Sequence, residues 1–570
     1  MGGRNGPQDG IYARTSAGTC SYALGLAGHG LCPSGPTAMP SLLHPLPLRA
    51  PSIWPRLGRS AARRAPRWLV GTLLAAASAG LAARGGPAPP NSYYPPTANG
   101  ATTTMHRGLP APVVKALGET GLPIGALGLF VQAVDQPLPL LALNAEEPYL
   151  LASTAKVVTT LAALDVLGPA YRWRTEAHLA GTLEDGRLDG DLVIVGGGNA
   201  RLSTDDLLAW FAQIQAQGVR EISGNIVLDR FAFQLTERDQ AAAPRPGPDR
   251  PHHSWPDALS LNDGVLRLQV QPAAGQRAQL SLVPPLADVT VVNQIRHGRG
   301  CAAQVAWGAA DGDDGPRQLR VTGQWGAGCG PHSVRFALLS DADLTARAVG
   351  ALWAQAGGQL GGRVLDRPAP PAGATTTSSL PRDERGVLRP PYAVHNSDRL
   401  PELIRDINKQ SDNMASRALM LSLSPGFPAQ AATPAAARAR MQEWMRTRGL
   451  PPGDIDIDTG SGLSRAERGK PRAMVQLLRQ AWHDRNGKFF VDSLPIAGVD
   501  GTLSNRLQNG PATGRAFLKT GSLIDVRALA GYVKGRNGRV YAVSALINHP
   551  DAPAGIAVLD ALVEWLATVE

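Results

Sequence analysis

Three short strings carry residue types able to perform acyl transfer, and they occur in one order: Ser153-Thr-Ala-Lys156, Ser411-Asp412-Asn413 and Lys519-Thr520-Gly521. A serine hydroxyl is a weak nucleophile until a base takes its proton. Lys156 lies three residues beyond Ser153, one turn along the same helix face and within reach of that proton. A lysine works as a base only when its pKa falls, and Lys519 is the expected second cation that lowers it. The Ser411 hydroxyl and Asn413 amide suit proton relay and the holding of a substrate amide. Lys519 and Thr520 suit a substrate carboxylate, and Gly521 lets that substrate approach the strand backbone closely. The N–H of Ser522 is expected to complete an oxyanion hole with that of Ser153, beside the positive end of a helix.

Taken singly, each string has a plainer reading: Ser153 as a helix cap above a solvated Lys156, "SDN" as a turn, "KTG" as a strand end. Only seven of the 56 basic residues are lysines. A chance Ser-x-x-Lys then arises in about one such chain in three, and Lys-Thr-Gly in about one in twenty. All three in this order are far rarer, and the trio is the mark of β-lactamases and penicillin-binding proteins.

The elements that must position these residues follow from periodicity. After Ser153, Val157, Val158, Leu161, Ala162 and Leu164 fall on one helix face. Near the other end, "FLKTGSL", "ALAGYVKG" and "VYAVSALIN" read as three strands, with the hairpin signal Asn537-Gly538 between the last two. A closing helix is marked by Ile556, Leu559, Leu562, Val563 and Leu566. Antiparallel strands between an N-terminal and a C-terminal helix predict an α+β core at 108–180 and 380–570. Residues 181–379 have a different texture: short alternating segments such as "LRLQVQP" and "QLRVTGQW" between Gly, Asp and Pro turns. That segment is expected to be a β-rich insertion between the first and second motifs, and the Pro/Ala/Thr-rich stretch 367–382 to return the chain to the core.

Composition narrows the function. The net charge is +10, but residues 1–86 hold nine Arg and one Asp, so the rest is almost balanced. No basic face for nucleic acid is expected. The eleven His show no metal-like spacing, and Gly196–Gly198 is not followed by a phosphate-loop Lys-Ser/Thr, so no metal or other cofactor is expected. Residues 56–67 are Arg-rich and 68–83 apolar, ending in small residues, which reads as a signal peptide. Its distance from Met1 points to a start assigned too early, a long uncleaved anchor being the alternative. On this reading 1–86 is an extension with a signal peptide, 87–107 a linker, and the rest exported to the periplasm. Cys301 and Cys329, 28 positions apart, fit one disulfide in an oxidising compartment or two buried thiols.

Over about residues 110–570 the chain resembles the penicillin-binding protein 4 type of D-alanyl-D-alanine carboxypeptidase/endopeptidase, the low-molecular-mass class C penicillin-binding proteins. Besides the trio, "GNIVLDRFAF" (224–233), "INKQSDN" (407–413), "GSGLSR" (460–465) and "LPIAGVDGTLSNR" (494–506) carry the resemblance. So does the separation of 258 positions between Ser153 and Ser411, which in this family holds extra domains. The resemblance implies a β-lactamase/transpeptidase-like core and a serine peptidase acting on peptidoglycan stem peptides and acylated by β-lactam antibiotics. Peripheral membrane association or a homodimer are further expectations. Asn199 stands where the family commonly has Asp, thought to meet the diaminopimelate amino group, which leaves endopeptidase preference open. Thr459 stands where Asp or Asn usually precedes "GSGLSR"; neither residue is assigned a catalytic role. The alternatives are a β-lactamase, opposed by the absence of an E-x-x-L-N deacylation motif, and a non-catalytic peptidoglycan-binding or β-lactam-sensing protein.

Overall fold

In the computed structural model the described residues are 20–23, 108–236, 239, 256–273, 277–298, 300–309, 317–337, 339–367 and 380–570. They fall in one compact unit. The signal-peptide and linker readings, and most of the return segment, lie outside the described residues.

The core is a five-stranded antiparallel sheet with helices on both faces. In chain order its elements are α1 (Ala111–Thr120), β1 (Leu127–Ala133), β2 (Pro139–Leu143), α2 (Ala155–Val166), α3 (Leu400–Gln410), α4 (Asn413–Leu421), α5 (Pro434–Thr447), α6 (Pro471–His483), α7 (Gly487–Ser493), β3 (Ala516–Leu523), β4 (Val526–Lys534), β5 (Val540–Asn548) and α8 (Ile556–Thr568). The strand order is β3-β4-β5-β1-β2, every pair antiparallel. The Asn537-Gly538 turn joins β4 to β5 as expected, with Gly538 at φ +78°.

Successive residues of β4 point to opposite faces. Ala528, Ala530 and Tyr532 join the core under α2 and α6, while Leu529 and Val533 join that under α1 and α8. Both faces are covered, which is why these strands read as nearly continuous apolar runs. On α8, Leu559, Leu562, Val563 and Leu566 are all buried, each contributing about 1.5–3 kcal/mol of apolar burial. The helix after Ser153 departs from the one-faced expectation: every residue of α2 from Ala155 to Leu164 is buried. It runs through the middle of the molecule against α3 and α4, so a helix period has no solvent side to show.

The β-rich middle region is present, and its described residues also include two helices that the alternating texture concealed. Strands Arg174–Glu184 and Arg187–Gly196 form the centre of a seven-stranded sheet, which Ala393–Asn396 joins at one edge. Helices Thr204–Ala216 and Asp341–Gln355 pack on it through Trp210, Phe211, Leu352 and Trp353. A separate apolar core lies between a four-stranded sheet that includes Cys301–Ala309 and Arg317–Trp325 and a three-stranded one that includes Leu266–Gln271.

Cys301 and Cys329 are joined in a disulfide with Cα atoms 5.5 Å apart. Closing a loop of this length stabilises by about 2–4 kcal/mol. Because the bridge borders a core separate from the one around α2, its reduction is expected to lower the thermal stability of the inserted region while leaving that of the five-stranded core unchanged. Calorimetry with and without reductant checks this; equal destabilisation of both would place the bridge in the service of the core.

Candidate active site

The chain enters the site through the short strand Tyr149–Leu150 and a one-turn 3-10 helix, Ala152–Thr154, that leads into α2. Ala152 has φ +44°, a conformation that turns the backbone sharply before Ser153. Ser153 makes no helix-capping bond. Its Oγ meets Lys156 Nζ at 3.1 Å instead, which decides between the two readings of the motif.

Lys156 is wholly buried. Its Nζ also donates to Asn413 Oδ1 at 2.6 Å and to the Ser461 carbonyl. Those two partners can only accept. In the neutral amine they engage both N–H bonds, so the remaining lone pair faces Ser153 Oγ. The packing around Lys156 thus aims its lone pair at the Ser153 hydroxyl. Burial is the main reason its pKa falls to about 7, opposed by the charges of Glu467 and Asp412 and aided by Arg417. The cation expected to do this, Lys519, is not the principal cause. Lys519 is itself held well below the ordinary lysine range, by its own burial and by Lys156.

The second motif sits at a break between α3 and α4. Ser411 closes α3 in the left-handed conformation, φ +59°, and Asp412 caps α4 by accepting from Ala415 N at 3.0 Å. This reversal puts Asn413 on Lys156, while Ser411 Oγ accepts from Lys519 Nζ at 2.9 Å. Ser411 and Asn413 therefore contact different lysines. Below them, Lys409 ties α3 to the "LPIAGVDGTLSNR" loop through Asp500, 2.6 Å away, and the Leu494 carbonyl. From that loop Thr502 Oγ1 lies 2.8 Å from Thr520 Oγ1.

The third motif occupies β3, at the edge of the sheet. A Cβ on Gly521 would sit 3.0 Å from Leu151 O and Ser153 N, so glycine lets the strand lie against the Ser153 turn. Lys519 is buried, Ser522 exposed. Six of the eight predicted acyl-transfer residues thus converge by direct contact: Ser153, Lys156, Asn413, Ser411, Lys519 and, by its close backbone approach, Gly521. Thr520 faces Thr502 instead.

The loop 457–467 is the part whose function sequence reasoning missed. It backs the site: Gly462, φ +86°, is so close that a Cβ would lie 1.9 Å from Ala152 O. Glu467, fully buried, accepts from Gly460 N at 2.6 Å and Thr459 N at 2.9 Å. Arg417, fully buried on α4, donates to Ser461 Oγ at 3.3 Å. The string "GSGLSR" was visible, but nothing in it signals a buried carboxylate two residues later. Asn199 Oδ1 accepts from Arg201 N at 3.0 Å within a turn, and Arg201 reaches Asp406 and Asp412. Among the described residues no group of His, Cys, Asp and Glu could hold a metal ion.

Residues 111–569 match the profile of the D-Ala-D-Ala carboxypeptidase 3 (S13) family. The chain is 30% identical over 437 residues to a D-alanyl-D-alanine carboxypeptidase of Actinomadura sp., covering 74% of this chain and 77% of that one. It is 25% identical over 451 residues to the D-alanyl-D-alanine carboxypeptidase DacB of Haemophilus influenzae, covering 75% and 86%. The crystal structure of penicillin-binding protein 4 from Haemophilus influenzae shares the fold, with a TM-score of 0.64, 23% identity and coverage of 80% of this chain and 99% of that one. The same protein has also been solved in complex with a β-lactam.

Gly462→Ala adds an overpacking cost of about 1–3 kcal/mol to about 1–2 kcal/mol of backbone strain, displacing the Ser153 turn. It is expected to slow acylation by at least about tenfold. Gly453→Ala, at φ +85° with nothing within 4 Å, isolates the backbone strain and is expected to acylate normally. Similar rates for the two variants would mean the loop does not set the Ser153 turn.

Proposed function

The chain belongs to the D-Ala-D-Ala carboxypeptidase 3 (S13) family, and from that premise we propose that it removes the terminal D-alanine of peptidoglycan stem peptides through an acyl-enzyme on Ser153, and is inactivated covalently by β-lactams at the same atom. The observation that carries this reading is the Lys156 amine, buried and held 3.1 Å from Ser153 Oγ with its other two contacts on acceptors.

Each step is assigned a residue. Neutral Lys156 takes the Ser153 proton as Oγ attacks the carbonyl carbon of the penultimate D-alanine. The tetrahedral oxyanion is received by the N–H groups of Ser153 and Ser522. Lys519 and Thr520, on the strand edge that faces the Ser153 turn, hold the terminal carboxylate. A substrate carboxylate beside Lys519 favours its charged form, so binding restores the charge that burial weakens. The C–N bond then breaks, the proton held by Lys156 reaching the leaving nitrogen by way of Ser411. Water hydrolyses the ester. Asn199, spent on a turn beside Arg201, offers no carboxylate to a diaminopimelate amine, which favours carboxypeptidase over endopeptidase action. The stem-peptide substrate places the working site in the periplasm.

Diacetyl-Lys-D-Ala-D-Ala is expected to yield D-alanine with the wild-type protein and none with Ser153→Ala, which also loses labelling by fluorescent penicillin. Release that persists in the variant would assign the chemistry elsewhere. Below the Lys156 pKa of about 7 the amine is protonated and cannot accept the serine proton. The acylation rate should therefore rise through neutral pH from the acid side, and a rate flat from pH 5 to 8 would contradict a lysine base of this kind.

A further inference from the structure

The reading of Lys156 as base leaves one buried group at the site without a task. Glu467 has no exposed surface, and a carboxylate is retained in such a place only with compensation. Its carboxylate accepts from Gly460 N at 2.6 Å, Thr459 N at 2.9 Å and Thr459 Oγ1 at 3.3 Å. The Gly460 carbonyl is in turn gripped by Thr159 Oγ1 of α2 at 2.8 Å and Ser416 Oγ of α4 at 2.6 Å. The next carbonyl, that of Ser461, accepts from Lys156 Nζ. The backbone of Glu467 closes the circuit, its carbonyl accepting from Leu151 N at 3.1 Å, two residues before Ser153. One residue, through its side chain and its backbone, therefore connects the loop behind Lys156 to the segment leading into Ser153.

We infer that Glu467 is a positioning residue of the acyl-transfer site: its buried carboxylate holds the Thr459–Gly462 loop so that the Ser461 carbonyl meets Lys156. The inference rests on the roles given above to Ser153 and Lys156. The charged groups around Lys156 are Arg417 on α4, Asp412 at the α4 cap, Lys519 on β3 and Glu467 on the loop. Three of the five, Lys156 included, are basic groups, and Glu467 is the largest of the charges favouring protonated Lys156. Without it, burial and Arg417 act with less opposition, and Lys156 gives up its proton at lower pH.

Glu467→Gln keeps the oxygen that accepts from Gly460 N and Thr459 N and removes the charge. Two readouts separate this role from a merely structural one: the titration of the Lys156 side chain by NMR in protein carrying 13C-labelled lysine, assigned with Lys156→Arg, and the pH profile of acylation by penicillin. The midpoint is expected to fall by about one pH unit, and the acid limb of acylation to move by the same amount. Thr459→Asp with Glu467→Gln puts a carboxylate beside the lost one, Thr459 Oγ1 lying 3.3 Å from Glu467 Oε1, and is expected to restore both, whether or not the single variant folds. A folded Glu467→Gln protein with midpoint and limb unmoved, or a folded double variant that keeps the lowered midpoint, overturns the inference. A wild-type protein that penicillin does not acylate, in which the Lys156 midpoint still follows Glu467, overturns the acyl-transfer reading instead and supports the charge coupling.

Discussion

A lysine amine with no exposed surface is the constraint around which this molecule is organised. Taking Lys156 out of water disfavours its charge, and that same penalty makes it a base near neutral pH. The arrangement is stable because the amine has three partners in fixed positions: the Ser153 hydroxyl, the Asn413 amide oxygen and the Ser461 carbonyl. Each comes from a different stretch of chain, so the fold has to bring three segments to one point. The helix that carries Lys156 is accordingly buried along its length.

The surrounding architecture follows from that demand. Ser411 ends one helix and Asp412 begins the next, and the left-handed turn between them presents Ser411 and Asn413 to two different lysines. The edge strand β3 lies against the Ser153 turn because Gly521 has no side chain to keep it away, and the loop behind the turn can do the same because of Gly462. Two lysines, an arginine and a glutamate share this interior. Burial pushes both lysines toward neutrality, which suits a base at Lys156. At Lys519 it makes full charge depend on an arriving carboxylate.

Much of this was legible in the sequence, and the reasons differ from residue to residue. The three motifs, the β3–β4–β5 strands and the closing helix announce themselves through order, alternation and an Asn-Gly turn. The face of α2 marked by Val157, Val158, Leu161, Ala162 and Leu164 is buried, but so are its other faces, and a helix buried on all sides has no polar stripe to reveal that. The helices in the insertion, Thr204–Ala216 and Asp341–Gln355, were overlooked beside so many alternating segments, although Ser203 with Asp206 and Ser340 with Asp343 mark their starts. The source of the Lys156 shift was misplaced for a related reason. Spacing reveals a second cation at 519 but not the burial that outweighs it. Glu467 and Arg417 were invisible because a charged residue in a loop or helix carries no mark of being interior.

In the mechanism proposed, the acyl group is carried on Ser153 Oγ. Digesting the penicillin-treated protein and mapping the adduct by mass spectrometry tests it most directly. The account predicts a single penicilloyl group on the peptide containing Ser153, bound as an ester. An adduct on Ser411, Ser461 or Ser522, or none under conditions where the folded protein is intact, would contradict it.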